Sequence, residues 1–421
     1  MLRLYTRLVD LLRGKTTSNF IHLSLNQGVN IVTALILNRY LFQTLGEEQY
    51  GLVSVALSVV LLFGMLVNYG FNLNIPQKLA IIKESNLAKQ DLINEVTITK
   101  LILSCMVAVL VIFSTNHFGL FEGYSVILTY SVIQLFSDAL YPMAILQGFD
   151  KLSWIAKANA VSKLLYLGLV ILVVNVASDA KWVNFLLGST GFLVHGSVMV
   201  LIYRAESIRL QWVAFSRIKF WLWSNFQFFF STVASYILIN GGLIILKNFV
   251  NDAELGFYSL GQKVAVMLRM IPIFITQSII HNASRLYDQD KISFEGYLQK
   301  SQRNGLLITA LICFTAAASS KWVIRILAGE FIPLSATLMS ILCLLPIIGM
   351  LNVSNMIRIL VADQKYILSK AIWITTGLML IFSLIGSYYF GSYGLAVSLV
   401  LAEIFNYFIH YILLKRAGLG K

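Results

Sequence analysis

The chain has 421 residues, of which 58% are hydrophobic and only 12% are charged. Soluble domains contain roughly 25% charged residues, so this composition excludes a soluble globular protein and predicts a protein that crosses a membrane many times. The apolar stretches are about 20 residues long and prolines number only five, which favours helices over the short alternating strands of a barrel. The three cysteines, Cys105, Cys313 and Cys343, lie inside apolar stretches. We interpret them as core residues and not as a disulfide or metal pattern.

Taken in chain order, the sequence begins with a basic amphipathic segment, residues 1–17, which is expected to lie along the cytoplasmic membrane surface. Twelve transmembrane helices are predicted after it. They lie near residues 18–42, 50–74, 96–115, 123–147, 153–176, 182–203, 220–246, 256–280, 303–324, 333–360, 366–389 and 393–414. A basic tail, residues 415–421, ends the chain.

The distribution of lysine and arginine predicts the orientation, because short cytoplasmic connections carry the excess of basic residues. Basic residues dominate the even-numbered connections: Lys78, Lys83, Lys89, Lys100, Lys151, Lys157, Arg204, Arg209, Arg217, Lys219, Arg285, Lys291, Lys300, Arg303, Lys365 and Lys370. The odd-numbered connections carry the acidic Glu47, Glu48, Glu122, Asp252 and Glu254, with few basic residues. Both termini are therefore expected in the cytoplasm. This asymmetry accounts for much of the net charge of +13 without a nucleic-acid partner.

Two pairs of similar short segments, each called an echo below, indicate that the chain is a duplication. EEQYGLVS (47–54) follows the first span and DAELGFYS (252–259) follows the seventh, while ILQGFDK (145–151) and ILVADQK (359–365) follow the fourth and tenth. We predict two six-helix lobes, 18–203 and 220–414, joined by a cytoplasmic linker at 204–219. Because both halves start in the same orientation, their pseudo-two-fold axis should run along the membrane normal and leave a central cavity between the lobes.

The segments LGEEQYG (45–51) and LQGFDK (146–151), together with the span number and the absence of long loops, resemble the polysaccharide and O-antigen repeat-unit flippases. These belong to the multidrug/oligosaccharidyl-lipid/polysaccharide exporter superfamily. The resemblance implies a MATE-like fold that alternates between inward and outward openings in the bacterial inner membrane. It also implies undecaprenyl-diphosphate-linked oligosaccharide as the substrate, and a polymerase and a chain-length regulator as pathway partners.

Ionisable residues inside a membrane are costly, so each is a functional candidate. Five are basic and two are acidic: Arg39, Lys163, Lys263, Arg269 and Arg358, and Asp138 and Glu403. A cavity with an excess of cations suits a diphosphate headgroup, because guanidinium groups bind phosphate oxygens with a planar fork and lysines act as point charges. Asp138 and Glu403 are candidates for coupling to H⁺ or Na⁺.

Each of these residues also has a structural interpretation. Arg39 and Arg358 lie near membrane faces and can extend towards water, and Lys163 can be a topology charge. Lys263 and Arg269 are six positions apart, about 120° around a helix, so they should not point to one spot. Arg269 is the deepest of the cations, and Pro272 should kink the helix beside it. The alternative for Arg269 is a purely structural pair with Asp138 or Glu403.

No catalytic motif is present in the sequence. The five histidines show no metal-ligand spacing, and the chain has no phosphate-binding loop, HExxH or GxSxG motif, so neither enzymatic activity nor a cofactor is predicted. A glycosyltransferase or polymerase would need a large periplasmic loop, which the sequence lacks. The remaining alternatives are a multidrug extruder of the same superfamily, whose cationic drugs favour acidic cavities, and a non-transporting component of a glycan assembly complex.

Overall fold

The computed structural model describes residues 15–82, 85–117 and 121–418. Residues 1–14 of the predicted amphipathic segment 1–17 and residues 419–421 of the basic tail thus lie outside the described residues. Helices are the regular elements of the described part, which contains no strand. They are α1 Lys15–Asn68, α2 Phe71–Ile81, α3 Asn86–His117, α4 Ser125–Ser131, α5 Ile133–Leu140, α6 Met143–Gly148, α7 Leu152–Val173, α8 Ala180–Ala205, α9 Phe215–Leu246, α10 Asp252–Leu268, α11 Met270–Gln289, α12 Lys291–Ala318, α13 Ser320–Ala328, α14 Pro333–Leu342, α15 Leu344–Val361 and α16 Lys365–Arg416. A short 3-10 turn, Ala177–Asp179, precedes α8.

Within the described ranges, nine helical segments are long and apolar enough to cross a membrane, and the bent pair α12 and α13, at 66°, makes a tenth. Two of the nine are interrupted by a glycine with positive φ: Gly46 in α1 (φ 75°) and Gly391 in α16 (φ 54°). Glycine adopts this conformation at little cost because it has no Cβ. The all-helical membrane fold is therefore confirmed, and the turn after the first apolar stretch is centred on Gly46.

Prolines divide three of these spans. Pro142 lies in the gap between α5 and α6, Pro272 follows the break between α10 and α11, and Pro346 follows the break between α14 and α15. Proline has no N–H to donate, and its ring clashes with the carbonyl four residues earlier. For Pro272 that residue is Leu268, where α10 ends. The span is therefore interrupted beside Pro272, and Arg269 lies in the break itself; the predicted kink stays a prediction.

The chain forms two compact units. Unit 1 contains the chain up to Thr44 together with Val59–Thr232, and unit 2 contains Leu45–Ser58 together with the chain from Val233 onwards. In unit 1 a buried cluster around Phe71, Leu146 and Trp221 forms a core. In unit 2 a smaller cluster joins the second halves of α11 and α15 to the start of α12.

The connection between α8 and α9 is held firmly in unit 1. Glu206 accepts hydrogen bonds from Lys89 (3.3 Å) and Lys151 (2.9 Å). Glu95 on α3 accepts bonds from Nε of Arg217 (2.6 Å) and from the indole nitrogen of Trp221 (2.6 Å). The bond from Lys151, assisted by Lys89, lowers the pKa of Glu206, and Glu95 raises the pKa of Arg217. The predicted linker is thus an anchored part of unit 1, and the lobe boundaries 18–203 and 220–414 stay a prediction.

The two glycines of the first echo contact each other in unit 2. A Cβ placed on Gly51 would lie 2.6 Å from the carbonyl oxygen of Asp252 and 2.7 Å from the backbone nitrogen of Gly256. A Cβ on Gly256 would overlap the carbonyl oxygen of Glu47. The two motifs therefore pack backbone to backbone, at a distance that only glycine permits.

Two interpretations of α3 are wrong. Lys100 was assigned to a cytoplasmic connection, but it is 4% exposed inside a helix that starts ten residues earlier than the predicted span. Asp138 lies within electrostatic range of Lys100 and offsets its charge. Cys105 was assigned to the core, but it is exposed on the apolar outer face of α3, whereas Cys313 and Cys343 are buried as predicted.

Candidate functional site

The most developed polar site of unit 2 is built around Arg269. Because α10 ends at Leu268 and α11 begins at Met270, the guanidinium projects from a break in the span. Its Nη2 donates to Oε2 of Glu403 on α16 at 2.8 Å. The Arg269 side chain remains 30% exposed, while that of Glu403 is 11% exposed. The pair is therefore buried on the acidic side and accessible on the basic side.

A chain of hydrogen bonds continues from Glu403 along α16. The side-chain amide of Asn406 donates to Oε1 of Glu403 (3.3 Å), and its own oxygen accepts from Thr375 (3.0 Å). Nδ1 of His410 lies 2.9 Å from the backbone oxygen of Asn406. Both carboxylate oxygens of Glu403 are thus bonded to donors.

The chain then crosses to α15. Nδ2 of Asn352 lies 3.2 Å from Nδ1 of His410, and Oδ1 of Asn352 accepts from Asn355. Nη1 of Arg358 reaches Asn355 at 3.4 Å, and its Nε and Nη2 bind Glu295 at 2.9 and 2.7 Å. A connected polar path therefore runs from Glu295 to Arg269 within unit 2.

Two other predicted cations of unit 2 have their own partners. The bidentate bond to Glu295 neutralises Arg358, which favours the structural interpretation of that residue. Nζ of Lys263 lies 4.3 Å from the ring centroid of Tyr50. Lys263 and Arg269 thus point to different partners, as their spacing predicts. The pairing of Arg269 with Glu403 agrees with the structural alternative for Arg269, although the Arg269 side chain keeps accessible surface.

Unit 1 holds a second polar cluster around Asp138. Its Oδ1 accepts a bond from Gln134 at 3.0 Å. Gly64 makes room for it, since a Cβ there would lie 2.8 Å from Oδ2 of Asp138. Lys100 supplies the nearby positive charge. The residue before Asp138 is Ser137, whose hydroxyl lies 3.2 Å from Nδ1 of His195.

The remaining predicted cations lie in unit 1. Lys163 on α7 is half-buried and lies within electrostatic range of His195. Arg39 on α1 is exposed, and no described residue forms an ion pair with it. The substrate and coupling roles of these residues stay predictions.

The histidines reveal a repeat that sequence reasoning missed. In unit 1 His195 contacts Ser137, and in unit 2 His410 contacts Asn352; each pair is separated by 58 positions. Both histidines are buried and use Nδ1. Lys151 and Lys365 of the second echo are 214 positions apart, and His195 and His410 are 215 positions apart. An alignment of the two halves on these lysines would therefore have matched the two histidines to within one residue. The two contacts support an internal duplication.

Both clusters consist of charged and hydrogen-bonding side chains. Within the described ranges, no three histidine, cysteine or acidic side chains lie close enough to hold a metal ion. The accessible guanidinium of Arg269 is suited to an anion with several oxygens. The carboxylates of Glu403 and Asp138 are suited to a proton or a small cation.

Comparison with known proteins agrees with this description. Two proteins, each named "Putative O-antigen transporter", are similar along nearly the whole chain. That of Escherichia coli (strain K12) is 24% identical over 91% of this chain and 93% of its own length, and that of Shigella dysenteriae is 22% identical over 92% and 96%.

Solved structures share the fold. An inward-facing multidrug resistance MATE family transporter of the MOP superfamily superposes with a TM-score of 0.72 at 12% identity, over 95% of this chain and 98% of its own. The lipid II flippase MurJ, in an inward closed conformation, superposes with a TM-score of 0.73 at 14% identity, over 95% and 87%. The MATE-like fold is therefore confirmed. The polysaccharide biosynthesis protein family matches residues 16–281, more than half of the sequence, and this chain belongs to that family.

Proposed function

We propose that this protein moves undecaprenyl-diphosphate-linked oligosaccharide repeat units across the bacterial inner membrane, for O-antigen or a related surface polysaccharide. The family and the names of its two relatives support a role in polysaccharide transport. The fold shared with a lipid II flippase is compatible with a lipid-linked cargo. A polymerase and a chain-length regulator are the expected partners in the same pathway.

The proposed topology has twelve spans, with both termini in the cytoplasm. The nine apolar segments and the bent pair of α12 and α13 make ten spans. If α1 and α16 are each divided at the interrupting glycine, the number becomes twelve. The lobes 18–203 and 220–414 then alternate between inward and outward openings, while the polyprenyl tail stays in lipid.

The observation that carries the proposal is the position of Arg269. A guanidinium deep in a membrane is costly unless it is paired or hydrated, and this one is paired on one side and accessible on the other. The fork geometry of its N–H groups matches a diphosphate. Arg39 is the next candidate because it is exposed, and Lys163, Lys263 and Arg358 complete the proposed cationic set. Asp138 and Glu403 are the proposed sites of coupling to H⁺ or Na⁺.

Deletion of the gene tests the function directly. The deletion strain should accumulate the undecaprenyl-diphosphate-linked unit, which is measured in lipid extracts. Export should return when the wild-type protein is supplied. Arg269→Ala should abolish export at normal protein abundance, and Arg269→Lys should restore it only in part, because lysine lacks the bidentate fork. Arg325→Ala, at an exposed arginine of α13, is the matched control and should export normally. Normal export by a well-expressed Arg269→Ala protein would contradict the proposed site.

The multidrug extruder is the rival function, since transporters of that kind share the fold. The excess of cations over acids within the spans argues against cationic drugs as substrates. Drug sensitivity in the deletion strain, with unchanged lipid-linked oligosaccharide, would favour the rival.

A further inference from the structure

The ion pair of Arg269 and Glu403 sets a condition on any anion that binds this site. Glu403 accepts a bond from Nη2 of Arg269 at 2.8 Å, so a phosphate that takes this N–H as part of a bidentate fork must displace it. We infer that Glu403 is an exchangeable internal anion, and that displacement by a diphosphate is accompanied by uptake of one proton onto the Glu403 carboxylate. This inference rests on the proposed function and deepens it, because it links headgroup binding to protonation at one named pair.

The chemistry of the displaced carboxylate carries the first step. Glu403 is 9% exposed, and Gly349 of α15 lies against it, since a Cβ there would be 3.6 Å from Oε1. With Arg269 withdrawn, the remaining donor to the carboxylate is the amide of Asn406. A buried carboxylate with one neutral donor binds a proton in preference to remaining charged. Rebinding of Arg269 reverses the step, and the proton returns to water.

Two buried polar atoms within electrostatic range of the pair have no hydrogen-bond partner among the described residues: the hydroxyl of Tyr258 and Nε2 of His410. Tyr258 is fully buried on α10 and lies within electrostatic range of Arg269. His410 is 3% exposed and lies within electrostatic range of Glu403. Buried polar groups are nearly always satisfied, so these two mark where a ligand oxygen and a proton enter the site.

The bonding at His410 suits a residue that passes protons. Arginine can only donate, so Arg358 fixes Asn355 as its acceptor, and the donation then runs through Asn352 to Nδ1 of His410. The backbone oxygen of Asn406, 2.9 Å from the same Nδ1, requires a proton there instead. One neutral ring cannot satisfy both neighbours, so its two tautomers compete, which is the property required of a proton shuttle.

The charged and titratable groups around Glu403 are few. Arg269 faces it from the break between α10 and α11, Tyr258 stands behind Arg269, and His410 lies two turns along α16. The pair of Arg358 and Glu295 closes the far end of the path, and α14 contributes no charged residue. The proton balance is simple: one proton leaves bulk water, passes His410 and binds Glu403 while the diphosphate binds Arg269.

Calorimetry on the purified full-length protein tests the inference. Farnesyl diphosphate is titrated in buffers of different ionisation enthalpy, which gives the number of protons taken up with each ligand, and farnesol is the ligand control. Wild type should take up about one proton, and its affinity should rise as the pH falls. Glu403→Gln should bind about 10–100-fold tighter, with no proton uptake and no pH dependence, because a charged competitor has been removed. Asp252→Asn, which loses a different paired carboxylate of unit 2, should behave as wild type.

The route is tested by kinetics. In stopped-flow experiments with a pH-sensitive dye, His410→Gln should slow proton uptake after mixing with ligand, and the matched His195→Gln should not. The inference is overturned if wild type binds without proton uptake, if Glu403→Gln takes up the same proton, or if both histidine variants behave alike. It is also overturned if wild type does not bind farnesyl diphosphate. The proposed function is judged separately, by the lipids of the deletion strain.

Discussion

Alanine at Gly51 is a stringent test of the backbone contact in unit 2. The new Cβ would lie 2.6 and 2.7 Å from two backbone atoms, whereas ordinary contacts begin at 3.4 Å. The segment and α10 must therefore separate by about 0.8 Å, because backbone atoms cannot swing aside as side chains do. Overpacking of this kind costs about 1–3 kcal/mol. The movement would also disturb Tyr50 and Tyr258, which are both buried.

Gly377 on α16 provides the matched control. A Cβ there meets nothing within 4 Å, so Gly377→Ala gains only helix propensity, about 0.5–1 kcal/mol. We expect Gly51→Ala to be about 1–3 kcal/mol less stable than Gly377→Ala, because the comparison cancels the propensity gain. Thermal unfolding of both variants in one detergent, followed by tryptophan fluorescence, measures the difference. Equal stability would mean that the two backbones are not in tight contact.

Three further predictions concern unit 1 and the topology. Glu95→Gln should destabilise the protein by about 1–2 kcal/mol, because it weakens the buried bond to Trp221 and an ion pair that is partly exposed; unchanged denaturant unfolding would contradict this. Since Lys151 lowers the pKa of Glu206, the charged carboxylate stabilises the folded state above its unfolded pKa of about 4.3, and this stability is lost as the pH falls through the lower folded value. Glu206→Gln should flatten that part of the stability profile between pH 3 and 6, as seen in melting temperatures. An enzyme reporter fused after Leu414 should be inactive if it requires the periplasm; activity would overturn the cytoplasmic C-terminus.

Local features of the fold were accessible from the sequence. The membrane helices follow from the length of the apolar stretches, and the break at Arg269 follows from Pro272, because both signals lie within a few residues of their effect. Burial of Lys100 was missed, since its position near a membrane face is equally typical of a topology charge, and its compensation by Asp138 comes from another helix.

The site was only partly accessible. Its members were recognised as charges that a membrane does not tolerate unpaired, but Arg269 and Glu403 are 134 positions apart and no local period joins them. Glu295 lies in a predicted cytoplasmic connection and so is not among the predicted intramembrane charges, and the amides of Asn352 and Asn406 carry no charge that would single them out. The pairing of Ser137 with His195, and of Asn352 with His410, becomes visible only when the two halves are aligned.

The exchange of segments between the units has a consequence for biosynthesis. Leu45–Ser58 belongs to unit 2, yet Gly256, the residue that Gly51 contacts, is translated about 200 residues later. At about 5–20 residues per second, this segment waits roughly 10–40 s for its partner. A cysteine introduced at Tyr50 in a cysteine-free chain should react with maleimide in ribosome-bound chains that end before residue 252, and should be protected in the complete protein. If the cysteine is protected from maleimide in the short chains, another part of the chain or the membrane must cover this segment before α10 is made. The N-terminal half therefore emerges with an unfinished surface, and a single cut in the gene cannot separate the two units into self-sufficient fragments.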